Sequence, residues 1–362
     1  MVLPQQPSAQ SRPAFRLLAL DALRGLTVLL MLLVNNAAIG EATPEQLMHA
    51  PFGGVNLADL VFPWFLFCMG ASIPYSASSF DRLGLPAWRF YARVFSRSAL
   101  LFGLGLFLTS SLAHTPVWAL DVLQLIALAY FVAAVLHRLA SPVGALLLLS
   151  GALLLGYWAA IRFVPVPGVG PGIFEEDRNL LLYLNRSYLE PLGLRGLLSV
   201  VPTTALALLG AAASQILRSG RERVLPVLGG LEVAAGYAWS LELPFSKTYW
   251  TPPYILLSAG LATLLLGGFY LLFDRKGWRF AAWPLTIPGS NALLAYLAPI
   301  LVKVWILQEW RVGPKTLQQA WLGWLVERWG AVGGGWLYTL GYILAWWLVL
   351  AWLYRRRIFL RV

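Results

Sequence analysis

Charge is scarce in this sequence. Asp, Glu, Lys and Arg make up 12 % of its 362 residues, about half the roughly 25 % of a soluble domain. A chain so poor in charge cannot solvate a globular surface, which excludes a soluble fold and a disordered or collagen-like one. Cysteine is nearly absent. Cys68 stands alone inside an apolar run, so an intrachain disulfide, a CxxC redox pair and a thiolate zinc site are all excluded. There are only three histidines, His49, His114 and His137. No GxxxxGK(S/T) phosphate loop and no internal repeat is present. The first fifteen residues (MVLPQQPSAQSRPAF) contain no apolar core and read as a tail rather than a signal peptide.

What is present is apolar surface. Hydrophobic residues are 59 % of the chain and the mean hydropathy is +0.69. A bilayer crossing takes about 20 apolar residues. Stretches near 17–38, 56–77, 94–112, 117–137, 142–163, 197–217, 224–241, 250–273, 284–307 and 332–354 meet or approach that length. The expected fold is therefore all-α, a polytopic transmembrane helix bundle of about ten spans. Residues 1–16 form an N-terminal tail, 17–354 the membrane domain and 355–362 a basic tail. The seventh span is short and carries Glu232, and the ninth begins with Pro284 and Pro288-Gly289.

The net charge of +11 could point to nucleic acid, but the basic residues lie in short clusters between spans. Their partner is the lipid bilayer, with no nucleic acid expected. Seventeen basic residues fall on one side of the bundle and eight on the other. The positive-inside rule then places both termini in the cytoplasm. The loops 39–55, 113–116, 164–196, 242–249 and 308–331 face outward.

Ionisable residues inside a membrane are costly and mark function by default. The first span carries Asp21 and Arg24, three residues apart on one face, and Asn35 eleven residues further on. Eleven residues return a helix to nearly the same azimuth about 16 Å along its axis. An ion pair that locks two helices together would account for Asp21 and Arg24 as well. The second span opens with Asn56 and Asp59, residue types that also cap a helix and answer its dipole. The loop before it holds His49 and no basic residue, and Pro51, Gly53 and Gly54 let it fold back onto the helix entrance. A carboxylate beside a histidine orients the imidazole as a base near neutral pH. No further metal ligands cluster there, so no metal is expected. His137 at a basic helix end and His114 in a tight turn read as structural. Lys247 and Trp250 form either an interface anchor or part of a site. Ser290 and Asn291 follow the Pro-Gly break, where exposed helix amides could meet an anion or a carbonyl.

At these residues the sequence resembles the heparan-α-glucosaminide N-acetyltransferase family of transmembrane acyltransferases. The resemblance is carried, in order, by DALRG (21–25), LMLLVNN (30–36), HAPFGGVNLADLVFPWFLFCMG (49–70), SRSALLFGLGLFL (96–108), VLQLIALAYFVAAVL (122–136), LPFSKTYWTPPYILLSAG (243–260) and PLTIPGSNALLAYL (284–297). It implies ten or eleven spans, acetyl-CoA entering from the cytosol as the donor, and an amino-sugar or related glycan amine as acceptor on the far side. It implies His49 as catalytic base or transient acetyl carrier, with Asp59 orienting it and Asn35 meeting the thioester carbonyl. Arg97, Arg93 and Arg24 would meet the CoA phosphates, and Lys247, Trp250, Ser290 and Asn291 complete the implied donor site. Leu125, Leu192 and Ser246 stand where the family pattern has Arg, Glu and Asn, which leaves the acceptor's identity open. The resemblance also implies a multi-pass protein of a bacterial inner membrane, because the extra N-terminal region of the animal enzymes is missing. A homodimer, a hydroxyl acceptor on an envelope glycan, a secondary transporter and a membrane scaffold stay open on sequence alone.

Overall fold

A computed structural model describes residues 17–360. The N-terminal tail expected over 1–16, with Arg12 and Arg16, lies outside the described residues, as does Arg361. The chain is a helical bundle. Its helices are α1 (Leu18–Asn36), α2 (Leu57–Asp81), α3 (Ala87–Ala113), α4 (Val122–Leu139), α5 (Val143–Phe163), the short α6 (Leu180–Leu184), α7 (Val200–Arg218), α8 (Val224–Ser240), α9 (Pro252–Phe269), α10 (Arg279–Ser290), α11 (Ala292–Val302) and α12 (Leu317–Arg355). A two-residue hairpin, β1 (Arg311–Val312) with β2 (Lys315–Thr316), is the one sheet among the described residues.

Eight helices are long and apolar enough to cross a membrane, and the bent pair Arg279–Ser290 and Ala292–Leu307 brings the number to nine among the described residues. The remaining expected span, the seventh, is α8, whose 17 residues stand at the short end of the roughly 17–25 that a crossing takes. It stays in the bundle by packing closely against α9, where the Thr263 hydroxyl donates to the buried Glu232 carboxyl at 3.0 Å. The expected break in the ninth span is present. The chain bends by 64° between α10 and α11, where Pro288 and Gly289 precede Asn291. The outer loop expected at 308–331 is partly helical. α12 is divided at Gly330, whose φ of 73° leaves the helical region, so 317–329 belongs to that loop and 331–355 crosses.

The ends of the helices define two faces. The ends near residues 81–87, 139–143, 218–224 and 275–279 share a basic face, joined by the Arg138–Asp81 and Arg275–Glu222 ion pairs at 2.7 and 2.8 Å. No side chain at Leu17 caps α1. Asp274 does so instead, accepting the N–H groups of Leu18 and Ala19 at 3.0 and 2.8 Å. The opposite, histidine face gathers the 37–56 loop, the start of α2, the 114–121 turn, the 164–199 segment and the 241–251 turn. α2 and α7 are the most buried of the crossing helices, whereas α3, α5 and α12 present most of their surface outward. Because α2 runs through the centre from the histidine face to the basic face, its residues contribute to both sites.

Candidate active site

The histidine face holds a cavity of about 780 Å³. Its centre is built by the first turn of α2. Asp59 is nearly buried, its side chain 4 % exposed, while His49 is 58 % exposed. One Asp59 oxygen accepts the His49 Nδ1–H at 2.8 Å. The other accepts the backbone N–H groups of Ala50 and Asn56, each at 3.0 Å. Asn56 does more than cap the helix. Its side-chain amide donates to the carbonyls of Glu45 and Met48 at 2.9 and 3.1 Å, which ties the polar loop down so that His49 reaches Asp59. The buried Tyr254 hydroxyl donates to the Asp59 backbone carbonyl.

Lys247 is the third member of this centre. Its Nζ stands 3.1 Å from His49 Nδ1, 3.2 Å from Nε2 and 3.7 Å from Asp59 Oδ1. Burial pushes the Lys247 pKa below the usual lysine value, and the nearby Asp59 carboxylate offsets this only in part. The turn that carries it is tightly built. Ser246 N–H donates to Thr251 Oγ1 and that hydroxyl donates to the Pro244 carbonyl, both at 3.0 Å. Phe245 pairs with Gly53 across to the His49 loop. Trp250 adopts φ 51°, a left-handed conformation rare for a non-glycine residue. Its ring is thereby turned edge-on against Phe62 and Tyr254, at 5.4 and 5.8 Å between centroids. With Nδ1–H directed to Asp59, the imidazole carries its lone pair on Nε2, the atom a proton-accepting base uses.

The rim of this cavity carries Trp118, Asp121, Glu176, Glu190 and Arg195, with Leu125 in its wall. The acidic rim residues come from turns whose sequence pattern gives no signal of their role.

The basic face opens into a second cavity of about 690 Å³, lined by Asp21, Arg24, Ser72, Arg93, Arg97 and Ser290 among others. Arg24 bridges three elements. Its guanidinium reaches Asp21 Oδ1 at 3.4 Å, the Gly289 carbonyl at 3.5 Å and Ser72 Oγ at 3.4 Å. This is possible because α1 and α10 touch backbone to backbone. A Cβ on Gly289 would lie 1.9 Å from the Asp21 carbonyl oxygen and one on Gly25 1.7 Å from that of Leu285, so both positions admit only glycine. Arg97 and Arg93 lie over the rings of Tyr130 and Phe80, 5.3 and 5.4 Å from their centroids. Ser72 was not singled out in the sequence, since a serine in an apolar span most often bonds only its own helix; here it also does so, to Cys68 and Met69.

The two cavities lie back to back. Phe62 lines the first and Phe65, one helical turn later on α2, lines the second; Leu125 and Ile126 divide in the same way on α4. Along α2, Asp59 and Ser72 are separated by about 20 Å at 1.5 Å per residue.

Two expected site residues stand elsewhere. Asn35 does not meet His49. It lines a separate cavity of about 360 Å³ with Lys303 and Gln308, and Lys303 Nζ donates to its carbonyl at 3.0 Å. Asn35 and Arg24 do share an azimuth on α1, but His49 is carried away from that stripe by its own loop. Asn291 does not face the arginine cavity with its amide. That amide donates to the Ile358 carbonyl at 3.0 Å and accepts the Leu360 N–H at 2.9 Å, anchoring the segment whose Phe359 and Leu360 form part of the cavity wall. Ser290 lines the cavity while its hydroxyl donates to Ile287 at 2.8 Å. Among the described residues no group of three metal-ligating side chains occurs.

Fold and site together define a polytopic α-helical membrane protein with a histidine–carboxylate–lysine centre at one face and an arginine-lined cavity behind it. Comparison with known proteins narrows that class. Residues 16–133 match a family model described as a domain of unknown function, DUF5009. The human (Homo sapiens) heparan-alpha-glucosaminide N-acetyltransferase is 26 % identical over 371 aligned residues, covering 82 % of this chain and 54 % of its own. The mouse (Mus musculus) protein of that name is 25 % identical over 378, covering 85 % and 57 %. The chain spans about half the length of the curated relatives it matches. It is a distant homologue of these N-acetyltransferases, as the ordered motifs implied.

Proposed function

We propose that the chain is a membrane acetyltransferase that moves an acetyl group from acetyl-CoA to the amine of a glycan. The observation that carries this reading is the His49–Asp59 pair at 2.8 Å in a wide cavity that backs onto an arginine-lined one across a single turn of α2. The activity in the names of the human and mouse relatives supports the same chemistry. Arg24, Arg93 and Arg97 supply charge-assisted donors of the kind that hold phosphates, with Ser72 and Ser290 beside them. The depth from there to Asp59 is that of an extended pantetheine arm, so the thioester reaches the wall formed by Phe62 and Phe65. On the other side His49 Nε2 removes the proton from the attacking amine, and Asp59 stabilises the imidazolium that results. The acidic rim of Asp121, Glu176 and Glu190 suits an amino sugar that arrives protonated.

In this reading the basic face lies in the cytoplasm and the histidine face outside a cell inner membrane, an orientation that the charge asymmetry of the loops supports. A cysteine at the exposed Glu45 tests this, since Cys68 is buried and stays silent. Labelling in intact cells by an impermeant thiol reagent is expected; labelling only after lysis would reverse the orientation. The activity is tested by release of CoA from acetyl-CoA on addition of glucosamine to the detergent-solubilised chain. Absence of donor consumption with any amino sugar or glycan hydroxyl would sink the reading.

A further inference from the structure

The chain has four lysines, Lys247, Lys276, Lys303 and Lys315. Three sit away from the His49 centre. Lys276 lies over the Trp278 ring, Lys303 donates to a backbone carbonyl, and Lys315 is in the exposed hairpin. Lys247 alone presents a primary amine to the imidazole, 3.1 Å from Nδ1 and 3.2 Å from the Nε2 atom that would act as the base. It lies within proton-transfer reach of that atom. The turn holding it is fixed by the Ser246–Thr251–Pro244 hydrogen bonds and by pairing with the His49 loop. The Lys247 backbone is thereby held beside the His49 loop. Burial at this site also favours the uncharged amine, which is the nucleophilic form.

We propose that Lys247 is an acetylation site of the protein's own chemistry, modified when acetyl-CoA is present and the acceptor is not; this rests on the acetyl-transfer reading above. The Nζ lone pair attacks the thioester carbonyl carbon. The C–N bond forms and the C–S bond breaks. His49 Nε2 takes the proton that the amine sheds and returns it to the departing thiolate. The products are Nζ-acetyl-lysine and free CoA thiol, with no other reactant needed. An amide is far less reactive than a thioester, so this acetyl group is not passed on. Acetylation removes the cation beside Asp59 and places an acetyl group in the acceptor's position, so the protein inactivates itself when donor is plentiful and acceptor scarce.

The experiment uses the full purified chain in detergent, incubated with acetyl-CoA with and without glucosamine, followed by peptide mass spectrometry at the four lysines. The expected result is occupancy at Lys247 at least about tenfold above Lys276 and Lys315, the scale on which a positioned base exceeds uncatalysed reaction. Glucosamine should suppress that occupancy, and His49→Ala should reduce it to the level of the other lysines. Residual transferase activity should fall in step with occupancy. Lys247 no more acetylated than the exposed lysines, in a protein that does acetylate glucosamine, would overturn the inference and leave the transferase reading standing. Persistence of the modification in His49→Ala would also overturn it, by assigning it to uncatalysed acylation. Selective Lys247 acetylation in a protein inert toward glucosamine would support the inference and reject only that acceptor. No acetyl-CoA consumption and no acetyl-lysine anywhere would overturn both.

Discussion

The two cavities of this bundle are built in opposite ways. At the histidine face the reactive groups come from loops, and hydrogen bonds to backbone impose their order. Asp59 holds the Ala50 and Asn56 amides, Asn56 holds the Glu45 and Met48 carbonyls, and a hydrogen-bonded turn presents Lys247. At the basic face the polar groups come from helices, and helix packing imposes their order. Arg24 reaches the Gly289 carbonyl because Gly25 and Gly289 let α1 and α10 meet at backbone distance, and α2 brings Ser72 to the same guanidinium. The first design fixes one base in one orientation, as proton transfer requires. The second spreads several cations over a large wall, as a polyanionic donor requires. The comparison predicts different consequences for substitution in each cavity.

The largest effect is expected at His49. His49→Ala removes the base but leaves the Asp59–backbone bonds in place, so folding and CoA binding should persist while acetyl transfer falls by about 10² or more. Near-wild-type turnover would break the comparison, because the histidine face would then hold no base. The next effect belongs to the basic face. Arg97→Ala removes a guanidinium assigned to phosphate, a contact of roughly 1.5–3 kcal/mol, and should weaken CoA binding in calorimetry with little change in saturated turnover. Unchanged affinity in the folded variant would move the phosphate contacts to other residues.

Much of this contrast was legible in the sequence, and what was missed has a physical cause. Asp21, Arg24, His49 and Asp59 stood out because lipid makes such residues expensive or because a carboxylate followed a histidine at a helix entrance, whereas Arg97 came from the resemblance alone. Helix spacing correctly put Asn35 on the Arg24 stripe. It could not tell that His49 would leave that stripe, because a loop's path depends on bonds such as Asn56 to Glu45 that carry no periodic signal. Lys247 was assigned to the donor by resemblance alone. Only the pairing of Phe245 with Gly53, two segments nearly two hundred residues apart, brings it to the histidine.

A smaller effect is expected at Asp59. In Asp59→Asn the imidazole remains but loses the charge that stabilises its protonated form, so turnover should fall by about tenfold, less than in His49→Ala. The same change acts on Lys247 in a direction that can be worked out. Burial lowers the Lys247 pKa and Asp59 partly restores it. Removing the carboxylate leaves the lowering influence unopposed, so the amine should lose its proton at lower pH than in the wild type. Acylation of Lys247 by acetic anhydride, followed by mass spectrometry across pH, should set in earlier in the variant. Onset at the same or higher pH would show that the two side chains are not electrostatically linked.

The smallest effect on donor binding is expected at Asn291, and it decides what kind of wall the basic-face cavity has. The family resemblance would make this amide a donor ligand. Its hydrogen bonds say otherwise, because both ends of the amide are taken by the backbone at Ile358 and Leu360. Asn291→Ala removes two hydrogen bonds of roughly 0.5–1.5 kcal/mol each, and the loss should appear as lower thermal stability of the detergent-solubilised protein. It should not appear as lost CoA affinity beyond about twofold, well under the worth of a charge-assisted contact. Phe359 and Leu360 line the cavity, so releasing the segment widens the wall without removing a cation. A tenfold loss of affinity at unchanged stability would reverse the assignment. Asn291 would then bind the donor directly, and helix packing alone would no longer explain how the basic face is ordered.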